Sequence, residues 1–122
     1  MAPGSTPLPE VTLITPEDLK TRLDAGEYLC LIDERASDEF SMAHIPGAQW
    51  CSHDLLVSQI GHAAPTQYVP LVVYCGGGEA SMLSVPILQR LGYAHIFVIQ
   101  GGFLAWCAAG LPIETGSVDA TT

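Results

Sequence analysis

The chain has 122 residues, with thirteen acidic side chains against four basic ones and a formal net charge of -9. At this length one compact domain buries about two thirds of the surface its unfolded chain exposes, and a second domain has no room. The acidic balance repels nucleic acid and anionic lipid, no apolar run approaches the ~20 residues that span a bilayer, and the N-terminus has neither the basic cluster nor the apolar core of a secretory signal, so a cytoplasmic protein without a membrane span is expected.

Residues 1–9 are rich in Pro, Gly and Ser and read as a loose tail, ahead of a folded domain over 10–115 and a second tail over 116–122. Residues 11–14 are the first strand candidate. Thr15 can then cap a helix with Pro16 at its first position and Glu17 and Asp18 against the positive end of its dipole, and Gly26 closes it. Residues 28–33 are apolar until the last, as in a strand covered on both faces, and Leu71–Tyr74 and Ile96–Ile99 have the same character. A shorter strand is expected at 48–50. Helices are expected at 37–43, 54–60, 80–91 and 103–109. In the third of these Leu83, Ile87 and Leu91 would line a buried face, and Pro86 should bend the helix near Met82. Strands alternating with helices predict an α/β fold, one domain with a central, mostly parallel sheet of about five strands flanked by helices on both faces.

Cys30, Cys51, Cys75 and Cys107 include no C-x-x-C pair, so a thioredoxin-type redox motif and a disulfide-stapled scaffold both fit poorly and free thiols are expected. The strongest chemical signal is Cys75, which ends an apolar strand and is followed by Gly76, Gly77, Gly78, Glu79, Ala80 and Ser81. Ligands of parallel α/β sheets bind at the carboxyl ends of strands, and the three glycines let successive amides converge on one concavity. A thiol there, at a helix N-terminus, ionises more readily than the ordinary cysteine near ~8.5, and the same cradle would hold a persulfide anion. The plainer reading makes Cys75 a small buried hydrophobe in a strand-to-helix turn.

Four ordered elements resemble the rhodanese family over roughly residues 11–114. They are the strand ending in Cys75 with Gly78 three places on and Ser81 six places on; Leu31, Ile32, Asp33, Glu34, Arg35; His44, Ile45, Pro46, Gly47, Ala48; and Gly101, Gly102, Phe103, Leu104, Ala105, Trp106 before Gly110, Leu111, Pro112. The resemblance implies a sulfurtransferase in which Cys75 takes the outer sulfur of thiosulfate, a mercapto-acid or another persulfide, a partner protein's included. It then gives that sulfur to a thiol or cyanide. The main chain of Gly76, Gly77, Gly78, Glu79, Ala80 and Ser81 would bind the substrate, with no metal or organic cofactor. The alternative is a non-catalytic binding or regulatory module with the same pocket.

The sequence departs from that family in its charges. Many family loops carry an arginine or lysine, whereas this one has none and adds Glu79, so thiosulfate, a dianion, is expected to be a poor donor. Lacking arginine six places after Cys75, the loop also fails the needs of cysteine phosphatases and arsenate reductases, which clamp phosphoryl or arsenyl oxygens bidentately. Glu79 either points to solvent or selects neutral and cationic partners. Ser81 either caps the helix or donates to the outer sulfur. Asp33, Arg35, His44, Pro46 and Gly47 read as scaffold, and Trp106 as a packing anchor. Cys51, His53 and Asp54 make only a weak metal corner without a second cluster at zinc spacing. Cys30 and Cys107 are expected to pack inward, and any of Cys30, Cys51 or Cys107 acts as a resolving thiol only where the fold brings it near Cys75.

Overall fold

A computed structural model describes residues 12–116; the expected tails over 1–9 and beyond Gly116 lie outside them. The order is β1 (Thr12–Ile14), α1 (Pro16–Asp24), β2 (Cys30–Asp33), α2 (Ser37–Met42), β3 (Gln49–Trp50), a single 3₁₀ turn (His53–Leu55), α3 (Leu56–Ala63), β4 (Leu71–Tyr74), α4 (Glu79–Arg90), β5 (Ile96–Ile99) and α5 (Gly102–Ala108). The five strands form one sheet in the order β1-β5-β4-β2-β3, and every neighbouring pair is parallel. Among the described residues no helix is long and apolar enough to cross a membrane.

Alternation along the strands divides the core into two layers, because successive side chains leave a strand on opposite faces. Ile32, Leu71, Val73 and Val98 face α3 and α4, where they meet Leu56, Ile60, Val85 and Leu88. Leu31, Val72, Tyr74 and Ile99 face the other way, against Leu19 of α1 and Phe103 and Trp106 of α5. β4 lies at the centre of the sheet, buried at all four positions, so whatever follows Tyr74 is held at the carboxyl edge by packing on both sides.

Local signals explain several element ends. The Thr15 hydroxyl accepts the Asp18 amide at 3.1 Å and starts α1 with Pro16 in its first turn. Other expectations are corrected. β2 begins at Cys30 and Tyr28 is 76% exposed, since residues past Gly26 turn over the surface before entering the sheet. Ala48 lies before β3 in a turn closed by its own amide on the Ile45 carbonyl. The buried positions of α4 are Ser81, Ser84, Val85 and Leu88, not Leu83, Ile87 and Leu91; Leu83 is 69% exposed. The phase is set by the two serines, which face a buried carboxyl described below. Pro86 lies inside α4 on its exposed side, and the helix runs through it without interruption. Cys107 is exposed, because α5 turns Phe103 and Trp106 inward and the next position along rotates out by about 100°.

Candidate active site

The turn from β4 to α4 is built around Cys75. Gly78, at φ +100, is the N-cap of α4, and its amide donates to Cys75 Sγ at 3.1 Å. Cys75 itself is 6% exposed, a narrow opening at the carboxyl edge of the central strand. A second helix fixes the rest of the loop: the Phe103 amide donates to the Cys75 carbonyl at 2.8 Å and the Leu104 amide to the Gly76 carbonyl at 3.0 Å. In a trans peptide the N–H points opposite to the carbonyl, so two carbonyls turned to α5 turn the Gly76 and Gly77 amides away from it. Among the described residues, the amides of Gly76, Gly77, Glu79, Ala80 and Ser81 donate to no protein acceptor. Unspent donors at a helix N-terminus favour an anion, and the one already engaged is on the Cys75 sulfur.

The approach of α5 depends on Gly102. It has φ +62, a left-handed conformation, and a Cβ there would lie 2.6 Å from the carbonyl oxygens of Cys75 and Gly76 and 2.8 Å from the Gly78 nitrogen. Only a residue without a side chain lets the two segments meet.

Ser81 follows neither course expected of it. Gly78 caps the helix, and the Ser81 hydroxyl turns to the interior and donates to Glu34 Oε1 at 2.8 Å. Ser84 donates to the same oxygen at 3.0 Å, and His53 Nδ1 lies 2.8 Å from the Ser84 hydroxyl. Glu34 is 4% exposed, and its other oxygen, Oε2, is buried without a partner. Burial pushes its carboxyl up to about 7, against the pull of the two serine hydroxyls, and the neighbouring Asp33 carboxylate adds to the rise. Sequence reasoning passed over Glu34 as the middle of an Asp-x-Arg element. The signal was there: Glu34, one residue past β2, continues the alternation of Cys30 and Ile32, so a charge falls where the pattern points to a buried residue.

The flanking residues are structural. Asp33 takes a paired contact from Arg35, with Arg35 Nη2 2.8 Å from Asp33 Oδ2, and the guanidinium lies 4.0 Å above the Phe103 ring, joining β2 to α5. His44 stacks on Phe40 at 3.8 Å, and its ring nitrogens reach the Phe40 carbonyl and Glu114 Oε1, tying the segment after α5 to that after α2. Trp106 is 1% exposed and donates to the Pro112 carbonyl at 2.7 Å. The metal corner diverges: Cys51 is buried in the core, His53 turns to Ser84 and Asp54 is exposed. Burial raises the Cys30 thiol and pushes Cys51 up to about 11, with the Glu34 carboxylate adding to the latter, which leaves both poorly suited to attack sulfur.

All four basic side chains lie within the described residues. Lys20 pairs with Asp24, Arg22 with Glu27 and Arg35 with Asp33. Arg90 occupies the last turn of α4, about 16 Å of helix away from its N-terminus. Glu79, in the first turn, is exposed, with Oε1 3.9 Å from where a Cβ on Gly77 would stand.

Comparison with known proteins gives the family and the fold. Residues 15–109 match the family model for the rhodanese-like domain. A sulfurtransferase of Allochromatium vinosum is 31% identical over 103 residues, covering 84% of this chain and 94% of the relative. The probable adenylyltransferase/sulfurtransferase MoeZ of Mycobacterium tuberculosis is 37% identical over 93 residues, 76% of this chain; the chain spans 24% of that relative's length. Among solved structures, the rhodanese-like domain of the Anabaena Alr3790 protein superposes with a TM-score of 0.77 at 28% identity, covering 93% of this chain and 85% of the other. The chain belongs to the rhodanese-like domain family.

Proposed function

We propose that this protein is a sulfurtransferase whose Cys75 carries a sulfane sulfur as a persulfide. The observation that carries the reading is the loop of unspent amides that follows one sulfur: Gly78 N–H donates to Cys75 Sγ, and the five amides next to it in sequence have no protein acceptor. In the first half-reaction the Cys75 thiolate attacks the outer sulfur of the donor. A new S–S bond forms, the donor's S–S bond breaks, and its electron pair leaves on sulfite or on a thiolate. In the second, an acceptor thiolate or cyanide attacks the outer sulfur, and the electron pair returns to Cys75. The cradle holds negative charge in both directions, which divides one transfer into two covalent steps.

The preferred donor is a persulfide on a small thiol or a partner protein, with thiosulfate a poor one. A dianion finds neutral amides and half a unit of dipole charge at the loop, no lysine or arginine among the described residues that is both unpaired and near it, Arg90 being at the far end of α4, and an exposed Glu79 carboxylate beside it. Intact mass spectrometry after incubation with each donor tests both statements. The expected result is one added sulfur atom on wild type, absent in Cys75→Ser, with loading fastest from a persulfide donor. A protein that accepts sulfur from none of them is a binding module and not an enzyme. Efficient loading from thiosulfate alone would overturn the donor assignment.

A further inference from the structure

Glu34 is a buried acid that the transfer chemistry does not use, and its position is specific. The ladder between β2 and β4 ends with Asp33 opposite Tyr74, and the Glu34 amide continues it by donating to the Tyr74 carbonyl at 2.8 Å. Glu34 therefore stands one register step on, opposite Cys75. Ile32 and Val73, two residues earlier, are register partners facing α4, and the alternation brings Glu34 and Cys75 to that same face. The carboxyl meets α4 through Ser81 in its first turn and Ser84 in its second, while the amides of Glu79, Ala80 and Ser81 have no protein acceptor.

We propose that Glu34 is a positioning residue that sets the anion affinity of the Cys75 loop: clamped behind the first turn of α4, its carboxyl leaves the cradle at full strength when protonated and opposes a sulfur anion when ionised. The inference rests on the sulfurtransferase reading for its biological meaning, but its physics concerns only the thiol. The other ionisable groups around this carboxyl are Asp33 and Arg35 on its own segment, which pair with each other, Tyr74 and Cys75 at the end of β4, Cys51 after β3, His53 through Ser84, and Glu79 at the start of α4. Among the described residues only Glu34 combines burial, the two serine donors and an oxygen without a partner. Burial places its titration near neutrality, inside the working range of a thiol. A like charge switched on nearby disfavours the thiolate, so Cys75 holds an anion more readily below that point than above it.

The test is the rate at which iodoacetamide alkylates Cys75, read on the Cys75 peptide by mass spectrometry from pH 5 to 10, with sulfur loading of wild type measured separately. Wild type should show two steps, one near neutrality. Glu34→Gln keeps an acceptor for both serines and removes the charge; it should show one step and react about 3–10-fold faster at pH 8. Ser84→Ala removes a donor to the ionised form, so the neutral step should move to higher pH, and this variant carries the test if Glu34→Gln does not fold. A single-step wild-type profile, or profiles that superpose across the three proteins, would overturn the inference. Two steps in a protein that no donor loads would leave the inference standing and overturn the proposed function.

Discussion

Substituting Gly102 by alanine tests how the cysteine loop is held. The new methyl would have to occupy a left-handed backbone position at φ +62, which costs about 1–2 kcal/mol for an L side chain. It would also stand 2.6 Å from two carbonyl oxygens and 2.8 Å from a main-chain nitrogen of the loop. None of these is the end of a flexible side chain, so relief requires moving α5 or the loop itself, an overpacking cost of roughly 1–3 kcal/mol. The sum, about 2–5 kcal/mol, is a large part of the ~5–15 kcal/mol that stabilises a domain. Gly47→Ala is the control: its φ is +87, but nothing lies within 4 Å of a Cβ there, so it should cost the conformational part alone. Thermal unfolding followed by circular dichroism should place Gly102→Ala at least about 10 °C below wild type and clearly below Gly47→Ala. Intact mass spectrometry should show sulfur loading impaired in the former and retained in the latter. Equal midpoints for the two variants would mean that α5 yields freely, and the account of a loop held by that close approach would be wrong.

Two further outcomes follow from charge. Because the folded Glu34 carboxyl is held up to about 7, above its ordinary 4.5, the folded state keeps a proton that the unfolded chain has lost between those values; stability therefore falls as pH rises from about 4.5 to 7, by up to about 3 kcal/mol, and urea unfolding across that range should show the slope in wild type and lose it in Glu34→Gln. Glu79→Lys replaces the exposed carboxylate at the loop with a cation and should raise the rate of loading from thiosulfate about 3–10-fold at low ionic strength, a gain that shrinks in 0.5 M salt; an unchanged rate would remove charge as the reason thiosulfate is disfavoured.

Most of the fold was legible because its signals are local. Thr15 before Pro16, the apolar runs at Leu71–Tyr74 and Ile96–Ile99, and the glycines after Cys75 each state their structure within a few residues. Helix phase was harder to read. In α4 the apolar Leu83 faces solvent while Ser81 and Ser84 are fully buried, because a carboxyl from β2 needs their hydroxyls. Hydrophobicity alone ranks those positions the wrong way round. The same limit hid the second half of the site. Glu34 lies 47 residues from Ser81 in sequence, and the amides that orient the loop carbonyls come from Phe103 and Leu104. Such partners are chosen by strand order, and β4 between β2 and β5 is a fact of topology that no window of sequence contains.

The tie from Phe103 and Leu104 to the carbonyls of Cys75 and Gly76 also orders events during synthesis. A nascent chain that has released β4 and α4 from the ribosome has Cys75 but not yet the helix that holds the loop's carbonyls. If the protein is the proposed sulfurtransferase, the loop reaches its working shape only after β5 is in place and α5 has docked, and a copy cut before α5 should take up sulfur less readily than the whole domain.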